Sequence, residues 1–100
     1  MNLYQQGDVL LKSVDQVPVG AMQEPEAVLA EGEATGHRHT ALGEDVVILN
    51  LRETRYLTAP HGAEVVHPEH RPLKIPPGNY CIERVREYDH FTEEARQVMD

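Results

Sequence analysis

Four of the six histidines in this 100-residue chain stand at spacings that can hold a metal ion. His37 and His39 are two apart. On a β-strand that spacing points both imidazoles to the same face. Two rings on one face, joined by a donor from a neighbouring strand, can bind zinc, iron, manganese or nickel. His67 and His70 bracket Pro68-Glu69, and an i, i+3 pair across such a loop can also converge on one ion. Neutral imidazole is the ligating form and is available near pH 7. Glu69 could add an oxygen ligand to the second pair. Glu33, Glu44 and Glu69 could also serve as a base beside a metal, although each reads more readily as an ordinary surface carboxylate. His61, between Pro60 and Gly62, reads as a turn residue, and His90 as an exposed one. The competing reading is that these histidines are scattered in polar loops and do no shared work.

Such a site needs strands to position it. Asp8 to Val14 has strand composition, and Pro18 and Gly20 then break the pattern. Residues 18–26 read as an acidic loop. Ala27 to Ala30 is a short apolar run, and Glu33-Ala34-Thr35 between Gly32 and Gly36 is turn-prone. His37 to Ala41 begins the next strand. Val46 to Leu51 and Arg55 to Ala59 form a hairpin, and Ala63 to His67 is a further strand stopped by Pro68. Ile75-Pro76-Pro77-Gly78-Asn79 is a strong turn signal, and Tyr80 to Tyr88 reads as the last strand. Thr92 then offers an N-cap, Glu93 and Glu94 suit a first turn, and Ala95, Val98 and Met99 share one face. This pattern predicts a short C-terminal helix over 92–99. The expectation is a single mainly β domain over 1–100, a small antiparallel barrel or sandwich of about six or seven short strands. A sheet this short has edges to protect, so pairing into a homo-oligomer is expected.

Composition narrows the function classes. The formal charge of −8 repels a phosphate backbone, so nucleic acid is not an expected partner. Arg71, Lys74, Arg84 and Arg86 are interleaved with Glu64, Glu69, Glu83 and Glu87 and read as a solvated face. The longest purely apolar run, Val46 to Leu49, is far too short for a membrane-crossing helix. The opening residues resemble no signal peptide, and the single cysteine, Cys81, cannot form an internal disulfide. A cytoplasmic protein with an inert, buried Cys81 is expected. Glycine-rich phosphate loops and zinc-finger cysteine pairs are missing, and the lone serine, Ser13, sits in the first strand.

Gly32 to His39, followed by Glu44, resembles the first metal motif of the cupins: glycine, then His-x-His, then glutamate. Ile75 to Tyr80 is similar to the Pro-x-Gly turn of the second cupin motif. The resemblance implies a metal held by His37, His39 and Glu44. The sequence departs from the pattern after both motifs: no histidine follows the second turn, and no glycine follows Glu44 within Val46 to Leu51. More of the chain resembles short uncharacterised bacterial and phage β-domain proteins, through Gln6-Gly7-Asp8-Val9-Leu10-Leu11, Gly32 to His39 and Arg84 to Asp89. That resemblance implies a compact β domain and no activity.

Two functions remain open. One is a metal-binding domain with His37, His39, His67, His70 and Glu44 as candidate ligands, where an open position would hold water for Lewis-acid chemistry. The other is a non-catalytic self-assembling, structural or adaptor protein of bacterial or phage origin. A metal coupled to the fold predicts stability that rises with pH, with a slope that a chelator flattens.

Overall fold

The computed structural model describes residues 2–32 and 36–85. Ten strands lie among them: β1 (Leu3–Gln6), β2 (Val9–Val14), β3 (Met22–Gln23), β4 (Val28–Glu31), β5 (Arg38–Leu42), β6 (Val47–Leu51), β7 (Thr54–Ala59), β8 (Ala63–His67), β9 (His70–Ile75) and β10 (Gly78–Arg84). They form two antiparallel sheets. One runs β1-β2-β10-β7-β6-β3, the other β4-β5-β8-β9. The domain is a sandwich of two open sheets; the barrel alternative is corrected, because neither sheet closes on itself. No helix occurs among the described residues, and so none there is long and apolar enough to cross a membrane. The helix expected over 92–99 and the turn at 33–35 lie outside the described residues.

The count of ten replaces six or seven because three strands carry little apolar signal. β1 reads Leu-Tyr-Gln-Gln, β3 is two exposed residues long, and β9 reads His-Arg-Pro-Leu-Lys-Ile. All three are edge strands. Pro72 is tolerated in β9 because an edge leaves a backbone position without a ladder partner. Edge strands also have less of their surface covered, so period-2 apolar patterning has less reason to appear.

The core is made from the inner faces of both sheets. Val9, Leu11, Ile48, Leu57 and Tyr80 come from the six-stranded sheet, and Leu29, Ala30, Ala41, Val65 and Ile75 from the other. Ile48, Leu57 and Tyr80 form one row across β6, β7 and β10. Tyr80 spends its hydroxyl on Pro76 O at 2.6 Å and packs edge-on against Tyr4. Two polar side chains also tie the sheets together. Arg55 of β7 reaches across to the Val28 and Leu29 carbonyls of β4 while Glu24 holds its guanidinium, and that contact keeps the Glu24 carboxyl below the ordinary range. Gln6 of β1 does the corresponding job near β8 and β9. Cys81 is half-buried, and burial pushes its thiol pKa up, which suits an inert side chain.

Candidate metal centre

His39 sits on β5 with Ala41, two residues apart, so both face the core. It lies at the end of the strand, where the sandwich opens. β8 pairs antiparallel beside it, which brings the end of β8, His67, to the same end of the sheet. The two-residue turn Pro68-Glu69 then returns the chain as β9, with His70 directly opposite His67. The three imidazoles therefore meet because β5, β8 and β9 are adjacent strands whose ends coincide. Ring centroids are 4.2 Å apart for His39–His67, 4.5 Å for His67–His70 and 5.5 Å for His39–His70. One nitrogen from each of the three lies within 4.8 Å of the others. His37 stands one ring further out, edge-on to His67 at 5.7 Å, and its Nδ1 donates to Glu69 Oε1 at 2.9 Å. The Gly32 N–H bond to His37 O holds the chain as it enters β5.

The β1–β2 turn covers the cluster from the opposite sheet. Gln6 is only 4% exposed. Its amide nitrogen donates to Val65 O at 2.9 Å and Arg71 O at 2.8 Å. Two carbonyl acceptors fix which end of the amide is nitrogen, so its oxygen must accept from His39 Nδ1 at 2.9 Å. That bond sets the tautomer of His39: the proton is on Nδ1, and Nε2 presents a lone pair. Next in sequence, Gly7 adopts φ 57°, and a Cβ there would stand 2.7 Å from His70 Nε2 and 3.2 Å from His39 Cε1. The turn is thus seated directly on two imidazoles. Asp8 follows, with Oδ1 3.7 Å from His39 Nε2 and Oδ2 bound by Arg84 of β10.

Burial and mutual repulsion disfavour the charged forms of His39 and His67. Burial, reinforced by the charges His67 and His70 would carry, lowers the His39 pKa to about 4, against the attraction of Asp8. Burial and the neighbouring His70 and His37 also lower His67. His67 Nδ1 accepts the Glu69 N–H at 3.0 Å, so its proton resides on Nε2. A shallow hollow of about 520 Å³ opens beside the cluster on the outer face, floored by Thr40 and Val66 and flanked by His37, His67 and Pro68.

Of the residues singled out by sequence, His39, His67 and His70 come together and His37 flanks them. Glu44 does not join them. It lies past the other end of β5, where the exposed Glu44, Asp45 and His61 form a separate group. Glu69 faces His37 rather than the three-histidine group. Sequence reasoning missed Gln6 and Asp8. Gly7-Asp8 between two strand-like runs is a turn signal that could have shown the hairpin, but nothing local indicates that the turn crosses to the other sheet.

The packing at Gly7 makes a direct prediction. Gly7→Ala is expected to lower stability by about 1–2 kcal/mol for its left-handed backbone alone, with His70 displaced as well. Urea denaturation measures it; an unchanged midpoint would mean that the turn is not seated on the histidines.

A family model described as a domain of unknown function, DUF8820, matches residues 5–85, which takes in Gln6, Asp8 and every histidine of the cluster. No curated protein and no solved structure matches the chain.

Proposed function

We propose that this chain, which belongs to the DUF8820 family of domains of unknown function, binds a divalent transition metal through His39, His67 and His70. The observation that carries this reading is the buried His39. Its Nδ1–H is committed to Gln6, so its bare Nε2 faces a space bordered by two further histidines and a carboxylate. An imidazole oriented by a second hydrogen bond is the usual arrangement of a ligating histidine. The low pKa supports the same reading, because no proton has to be displaced from Nε2 at neutral pH.

The fit is close. An ion with bonds of ~2.0–2.1 Å in tetrahedral geometry holds its donors roughly 3.3–3.4 Å apart. The three nitrogens, within 4.8 Å, need side-chain rotations rather than backbone movement to reach it. His67 is the ligand that must turn. Its ring is tilted 35° from that of His39, and binding at either nitrogen requires it to release the Glu69 N–H. Imidazole donors suit zinc, iron or nickel.

Protein purified without an affinity tag, stripped with EDTA and titrated with Zn²⁺ by calorimetry is expected to take up about one equivalent with micromolar or tighter affinity. His39→Ala should weaken that uptake by at least about 100-fold, since it removes a ligand outright. His61→Ala, at the opposite end of β5, should leave it unchanged. The Glu69 amide resonance should move on binding as its bond to His67 breaks. Uptake below about a tenth of an equivalent would end the proposal and favour the assembly reading.

A further inference from the structure

The β1–β2 turn brings more than cover to the histidines. Taking the three-histidine site as its basis, we infer that Asp8 supplies a fourth ligand through Oδ1, held in place by Arg84 on Oδ2. Three observations converge on it. The first is distance. Asp8 Oδ1 and His39 Nε2 are 3.7 Å apart, too long for a hydrogen bond. That gap to His39 is only a few tenths of an ångström beyond the roughly 3.3–3.4 Å between donors that share one tetrahedral ion. Asp8 stands outside the group of donors that lie within 4.8 Å of one another, so its side chain must rotate toward His67 and His70 to join them.

The second is placement. Gly7 is packed so closely on His70 and His39 that its neighbour has little freedom to leave. On its other side the turn is fixed by Val85 N–H donating to Asp8 O at 2.8 Å. The third is the division of labour in the carboxylate. Arg84 Nε and Nη2 both bind Oδ2, which leaves Oδ1 as the oxygen directed at His39. A ligating carboxylate whose second oxygen is hydrogen-bonded is oriented in the same way that Gln6 orients His39. The ion would thus be shared between sheets: three nitrogens from β5, β8 and β9, one oxygen from the β1–β2 turn.

One carboxylate beside three neutral imidazoles gives a donor set of charge −1, suited to a divalent ion of intermediate hardness rather than to thiolate-seeking Cu(I).

Co²⁺ is the probe, because its visible absorption reports ligand number and geometry as well as affinity. Asp8→Asn keeps the side-chain shape and removes the charge. It is expected to weaken Co²⁺ binding by on the order of 10–100-fold and to change the d–d spectrum. Asp8→Glu, which restores a carboxylate, should recover part of the affinity. Arg84→Gln, which only unhooks Oδ2, should weaken binding by less than Asp8→Asn without altering the band pattern. Circular dichroism of the metal-free proteins checks that each variant is folded; should Asp8→Asn not fold, the Arg84→Gln comparison decides, and wild-type affinity there overturns the inference. Wild-type Co²⁺ affinity and spectrum in folded Asp8→Asn would also overturn it while leaving the three-histidine site intact. Failure of the unmodified protein to bind Co²⁺ would instead remove the site itself.

Discussion

Replacing Gln6 by leucine is expected to destabilise the domain by about 3–5 kcal/mol, a large part of the total stability of a domain this size. Leucine matches the bulk of glutamine but satisfies none of its bonds. Three polar groups lose their partner together: His39 Nδ1–H, Val65 O and Arg71 O. Each buried group left unpaired costs about 1–3 kcal/mol, more than the net gain of about 0.5–1.5 kcal/mol from a typical hydrogen bond, and the part-buried Arg71 O costs least because water reaches it. The two sheets also lose their polar tie at the end that carries the histidines. Urea denaturation in the presence of EDTA isolates this effect from any metal. A loss below about 1 kcal/mol would mean that water replaces the amide and that Gln6 does not fix the tautomer of His39. The same variant should weaken Zn²⁺ uptake, because Nδ1–H would no longer be anchored.

The second large effect concerns pH. His39 has a folded pKa of about 4 against 6.5 unfolded. Between those values the unfolded chain binds more protons than the native one, so stability rises with pH across the window and is lost on acidification. For His39, which is 5% exposed, the difference amounts to about 3 kcal/mol. His67, also lowered, contributes with the same sign. Glu24, held below its usual 4.5 by Arg55, acts in the same direction but only at more acid pH. Melting curves from pH 4.5 to 7 in EDTA should therefore show a steep slope that His39→Gln largely removes. A flat profile would mean that water reaches His39.

This changes what a chelator experiment can reveal. From sequence alone, a pH slope that EDTA flattens is the signature of a metal, because apo histidines are assumed to titrate freely. The structure buries His39, and burial lowers its pKa without any ion. A slope that survives EDTA is consequently expected and does not speak against a metal. Direct uptake is the discriminating measurement.

Local sequence was enough for the β class, the hairpin of β6 and β7, and the strand Ala63 to His67. These are consequences of period-2 patterning and turn chemistry, which act over a few residues. The His67–His70 pairing was equally local, since a two-residue turn places its flanking residues opposite each other. Strands such as β1 and β9 were hidden because an edge with one uncovered side needs no apolar alternation. The composition of the site was a different kind of question. Glu44 is close to His39 in sequence but is carried away by the length of β5, whereas Gln6 and Asp8 are more than 30 residues distant and arrive from the other sheet. Which strand ends coincide, and which turn closes over them, follows from strand order and from how the two sheets pack. Those depend on burying Leu11, Ile48, Leu57, Val65 and Tyr80 together, a condition on the whole chain that no local spacing encodes.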